Sequence, residues 1–154
     1  MDFGSADWIS ALSSLGTLIA AIAALIVAIR QIKLSKEIEA FNSYESYHRL
    51  MLEYPHLGSG QIGSDASLVE KWQYETFVLS MLLTMERVMI LRPQDPSWEI
   101  ALEDDLNLHK RFLCSAEFVP LAGTLNEDVA AFIKRTAQKD HWKYPAAREA
   151  GQVA

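Results

Sequence analysis

The sequence predicts an all-α chain. One N-terminal transmembrane helix continues into a stalk helix and is followed by a small bundle of three to four helices. Three observations predict this. Residues Trp8 to Ile29 carry no charge over a run of 22 residues. Residues 30–54 lack Gly and Pro and place apolar side chains mostly three or four positions apart, the helical period. The remainder is divided by capping sequences and prolines into helix-length segments, with no apolar alternation long enough for a strand.

Residues 1–7, MDFGSAD, read as a short extracytoplasmic leader. The following run, WISALSSLGTLIAAIAALIVAI (8–29), would rise about 33 Å as a helix, against a hydrocarbon core of about 30 Å. A cleaved signal peptide needs a basic leader and a shorter apolar stretch; this leader has two acids and no Lys or Arg. Trp8 stands at the run's edge, where an amphipathic ring prefers the membrane interface. Arg30, Lys33 and Lys36 follow the run immediately. Positive flanks stay inside, so the expected arrangement is single-pass, with the N-terminus out and residues 30–139 forming a cytoplasmic domain at the inner membrane. One cysteine, Cys114, suits a reducing compartment and offers no disulfide within the chain.

The run carries two packing patterns. Leu12, Leu15, Ile19, Ile22, Ile26 and Ile29 follow the 3-4 spacing of a heptad seam. Gly16, Ala20, Ala24 and Ala28 recur every four residues, and small residues let helices approach closely in lipid. Either face could serve self-association or docking against a larger membrane protein. No ionisable residue lies within the run, so this helix alone forms no ion or proton path.

In the stalk, Ile32, Leu34, Ile38, Phe41, Tyr44, Tyr47, Met51 and Tyr54 make one apolar stripe. The stalk can run straight on from the membrane helix, with Asn42-Ser43 the place where any bend would fall, and an end is expected at Pro55, because the residue before proline avoids the helical region. Residues 56–66, HLGSGQIGSDA, read as a polar loop. Ser67-Leu-Val-Glu70 is a capping box opening a helix to Leu91. Asp95-Pro96 opens another, expected to reach about Cys114. After the broken stretch SAEFVPLAG, a second box, Thr124-Leu-Asn-Glu127, opens a helix to about Lys139. Residues 140–154 are expected to fray.

Within the third segment, FVLSMLLTMERVMIL (77–91) is apolar nearly all round, which predicts burial on more than one side. Its uncharged part, 76–85, is too short to cross a membrane. Met81, Met85 and Met89 share a face that suits either a core or an adaptable partner surface. Glu86 projects from apolar neighbours and should therefore meet a cation, with Arg87, Lys110, Arg111 and His109 as the candidates.

Chemistry-bearing constellations are thin. Glu45-x-x-His48 places two ligand types on one helix face, but di-iron bundles use that motif twice and here it occurs once. Asp105 and His109, at i,i+4, could offer two ligands; zinc needs three or four, and nothing supplies the others. Neither a nucleotide-binding glycine pattern nor a nucleophile elbow is present. The acids at 103–105 read as a solvated face. A net charge of -6 argues against a nucleic-acid partner. No cofactor, metal or catalytic residue is expected.

A tryptophan-led span, a basic Q-I-K flank and a long helix ending in L-E-Y-P resemble small bacterial single-pass membrane proteins with helical cytoplasmic domains of unknown function. FVLSMLLTMER around Glu86 and the stretch from Trp98 to Phe118 add to the resemblance, which covers about residues 8–135. It implies a bacterial inner-membrane setting and transfers no activity.

The expected function is that of a membrane-anchored, non-catalytic interaction protein that self-associates or binds a partner protein, with the lipid bilayer as its other contact. The alternative is an accessory subunit of a larger respiratory, photosynthetic or transport complex, docked through the Gly16/Ala20/Ala24/Ala28 face. A sensor or defence effector at the membrane and a metalloenzyme are more distant readings.

Overall fold

The computed structural model describes residues 5–63 and 65–142, with the side chains of residues 5–7, 9 and 11 outside the description. Residues 1–4 of the leader and 143–154 of the tail therefore lie outside the described part. The described residues are all-α, in seven helices: α1 Ser5–Glu53, α2 Pro55–Gly58, α3 Leu68–Leu91, α4 Pro96–Leu108, α5 Lys110–Leu113, α6 Phe118–Ala122 and α7 Glu127–Lys139. Two compact units divide the chain, Met1–Ile38 and Glu39–Ala154.

In the first unit, α1 is long and apolar enough to cross a membrane. None of the side chains from Leu12 to Ile29 is buried. Its hydroxyls turn inward on the helix itself: Ser14 Oγ donates to the Ser10 carbonyl and Thr17 Oγ1 to the Ser13 carbonyl. These two side chains thus carry no unpaired donor outward, the condition lipid imposes on polar groups.

The helical assignment of α1 runs unbroken through Asn42-Ser43. Ser43 Oγ donates to the Glu39 carbonyl and Ser46 Oγ to the Asn42 carbonyl, so these polar side chains are satisfied without opening the ladder. Pro55 stops α1 as expected but also starts α2, where a missing N–H costs nothing. The first residues of the expected polar loop are thus helical, with Leu57 and Gly58 buried.

The bundle of the second unit is centred on α3. Ser67 and Glu70 form the reciprocal box that opens it: the Ser67 side chain accepts from the Glu70 amide, and Glu70 accepts from the Ser67 amide. That hydrogen bonding holds the Glu70 carboxyl below its ordinary range. Tyr74, Phe77, Val78, Met81, Leu82, Met85 and Val88 form its buried face. Against them pack Leu102 and Leu106 of α4, Phe112 and Leu113 of α5, Phe118 of α6 and Val129, Phe132 and Ile133 of α7. Asp95 caps α4 by accepting from the Ser97 amide, and its pairing with Arg92 lowers its carboxyl pKa.

Three boundaries differ from the sequence reading. The helix expected from Asp95 to Cys114 is broken at His109, which leaves helical geometry at φ -100°, ψ 10° and sinks completely into the core. The cap of α7 is Asn126, which accepts from the Asp128 amide, while Thr124 donates its hydroxyl to the Leu121 carbonyl and so closes α6. Trp142, past the residue 140 where fraying was expected to begin, is buried: its backbone N–H donates to the Ala137 carbonyl, and Lys110 lies over its ring.

Candidate interaction site

Two faces of α3 divide the second unit's chemistry. The buried face takes Met81 and Met85 fully into the core and leaves Met89 at its edge, so the thioether series serves packing. The opposite face stays uncovered. Val69, Trp72, Thr76, Leu83 and Ile90 recur at helical spacing and are exposed, Trp72 to 68%, Leu83 to 57% and Ile90 to 62%. The expectation that this apolar helix is buried on more than one side is corrected accordingly: one broad face is covered, and the other carries apolar residues into the open.

The N-terminal half of that face borders a groove of about 400 Å³, lined by Leu50, Tyr54, Leu57, Trp72, Thr76 and Phe77 among others. Every one of its lining side chains is uncharged. Farther along, Arg87 pairs with Glu39 of α1. An uncharged apolar groove with an aromatic rim suits an apolar anchor from another protein, with its energy in the desolvated centre.

Among the described residues, no cation pairs with Glu86. Its Oε1 accepts from Asn126 Nδ2 at 3.3 Å, and the residue is only half-buried, so water and one amide suffice to solvate the charge. The expected partners are engaged elsewhere: Arg87 with Glu39, Lys110 over Trp142 and His109 in the core.

The deepest polar feature is a tyrosine–histidine layer. Tyr74 OH lies 2.9 Å from His109 Nδ1, and Tyr47 OH lies 3.5 Å from Nε2. Phe77 and Tyr74 pack beside the imidazole with ring centroids 5.6 Å away. Burial pushes the His109 pKa down to about 4 and the Tyr74 hydroxyl up to about 12. Beside this layer, the Tyr44 hydroxyl is directed at the Asp105 carboxylate while its ring stands edge-on to Trp98 at 5.3 Å. Burial raises the Asp105 pKa. Asp105 Oδ2 and His48 Nε2 are buried without a hydrogen-bond partner.

Glu45 is turned outward in a pair with Arg49, separated in role from His48. Asp105, on α4, and His109, at the α4–α5 break, serve different tyrosines. Among the described residues, no three His, Cys, Asp or Glu side chains gather to hold an ion. Cys114 is half-buried, and burial raises its pKa, which keeps the thiol protonated and weakly nucleophilic.

In the first unit, the Gly16/Ala20/Ala24/Ala28 face and the seam of Leu12, Leu15, Ile19, Ile22 and Ile26 are both uncovered. A Cβ added at Gly16 would meet nothing within 4 Å. The chain itself thus sets no demand for glycine there.

Compared with protein-family models, curated proteins and solved structures, the chain matches none. The functional reading rests on its own residues.

Proposed function

We propose that this chain is a membrane-anchored, non-catalytic protein–protein interaction module. The anchor is the 8–29 run, oriented with its N-terminus out by Arg30, Lys33 and Lys36 and placing the bundle in the cytoplasm of a bacterial cell. The module self-associates or binds a partner through the uncovered face of α3. The observation that carries this reading is the exposure of Trp72, Leu83 and Ile90 on one side of α3, with Trp72 at the rim of an uncharged groove, since exposed large apolar side chains gathered on one face mark interaction sites. A photo-crosslinking side chain placed at Leu83 in intact membranes tests it. Adducts to a second copy or to one defined protein support the reading; a side chain that captures only lipid or nothing contradicts it.

Gly16 favours a second reading. A glycine inside a helix costs about 0.5–1 kcal/mol relative to alanine, and no neighbour in the chain requires this one. A helix from another membrane protein passing close to Gly16, Ala20, Ala24 and Ala28 would use it. The chain is then an accessory subunit of a larger complex. Gentle affinity purification separates the two readings, because only the second requires a stoichiometric integral membrane partner whose binding is lost in Gly16→Leu.

A further inference from the structure

The Glu39–Glu53 part of α1 meets the bundle through an aromatic layer in which Tyr47 reaches His109 and Phe77, and Tyr44 reaches Asp105 and Trp98. His109 is wholly buried at the joint between α4 and α5. A neutral imidazole has one N–H donor and one bare nitrogen, which matches two hydroxyl partners, one accepting and one donating. A charged ring would present two donors. The hydroxyl that had been donating would then have to find another acceptor inside a closed layer.

The groups that face this ring supply little compensation. From α1 come Tyr47 and, behind it, Tyr44 and His48. From α3 come Tyr74 and Phe77. On its own helices stand Asp104, exposed, and Asp105, one turn earlier and directed at Tyr44, followed by the exposed Lys110 and Arg111 and by Phe112. The loop at Gly60 approaches the same corner through the Leu108 carbonyl. Among the described residues, no carboxylate is hydrogen-bonded to His109.

We propose that His109 is a proton-sensitive clasp: when its ring takes a proton, the Tyr47 side of the layer opens and the bundle releases the Glu39–Glu53 part of α1. Tyr47 yields first because its contact is the longer, 3.5 Å against 2.9 Å for Tyr74.

The direction follows from linkage. Burial holds His109 at about 4 in the docked state, below the 6.5 of a free imidazole. The undocked state therefore binds the proton better. Docking is at full strength above about pH 6.5, weakens as pH falls through the interval down to about 4, and changes no further below it on account of this group. Asp105 works in the opposite sense, since its raised pKa makes the docked state the better proton acceptor in the carboxylate range.

Amide hydrogen exchange on the full chain in detergent micelles, corrected for intrinsic rates, tests the clasp between pH 7 and about 4.5. The expected result is that protection of residues 40–53 falls by up to tenfold per pH unit below about 6.5 while α7 stays protected, and that His109→Gln flattens this dependence. His56→Gln, on the surface, should leave it intact. An unchanged slope in His109→Gln overturns the proposal, as does constant protection of residues 40–53 in the unmodified chain. Should His109→Gln fail to fold, the unmodified chain still decides: loss confined to 40–53 supports the clasp, and loss shared equally by α7 overturns it.

Discussion

Tyr74 OH and His109 Nδ1 lie 2.9 Å apart where α3 meets the α4–α5 joint, and both side chains are excluded from solvent. Removing the hydroxyl strands a buried ring nitrogen, which costs about 1–3 kcal/mol. Tyr74→Phe should therefore lower the unfolding free energy from urea denaturation by that amount at pH 7. Tyr47→Phe, at a longer contact, should cost less. Equal losses in the two variants would contradict the unequal geometry.

Asp105 is a buried carboxyl whose second oxygen is unpaired. Its pKa is raised chiefly by burial, so above the carboxylate range the folded state bears the cost of keeping it ionised. Asp105→Asn keeps an acceptor for Tyr44 and removes the charge. Thermal denaturation should show a higher Tm for the variant at pH 7, with the gain shrinking as pH falls and the native carboxyl protonates. A lower Tm at pH 7 would show that the charge has a partner the geometry does not reveal.

The two faces of α3 should respond differently to truncation. Met85→Ala empties a fully buried site and should cost about 2–5 kcal/mol. Leu83→Ala, two residues earlier but exposed, should stay within about 0.5 kcal/mol. Chemical denaturation of both variants checks the division. A large loss at Leu83 would mean that α3 is covered on that side too.

Gly60 is where the loop between α2 and α3 requires glycine. Its φ is +69°, and an added Cβ would fall 1.8 Å from the Leu108 carbonyl oxygen, a rigid backbone atom. Gly60→Ala should destabilise the chain by more than about 1 kcal/mol and raise hydrogen exchange around His109. Gly16→Ala, with open space around it, should be neutral or stabilising for the isolated chain.

Local signals were readable from the sequence where both halves of a device lie close together. The Ser67/Glu70 box, the Asp95 cap and the stop at Pro55 depend on neighbours within four residues. The α7 cap was misplaced because Thr124 and Asn126 offer competing frames, and only the end of α6 decides that Thr124 bonds backward to Leu121. The break at His109 has no glycine or proline to announce it; it comes from tyrosines 62 and 35 residues away. Trp142 stands past the last helical period, and its burial depends on Lys110 and the end of α7. The apolar run 77–91 marked α3 as central. Which side stays bare depended on α4 to α7 covering only the other one.

The interaction reading is tested most directly by the particle mass of the gently solubilised full chain, compared with Trp72→Glu. The expected result is an assembly heavier than one chain plus its detergent, reduced to a single chain when a carboxylate is set at the rim of the apolar groove. A single chain in both cases, or an assembly that Trp72→Glu leaves unchanged, would contradict it.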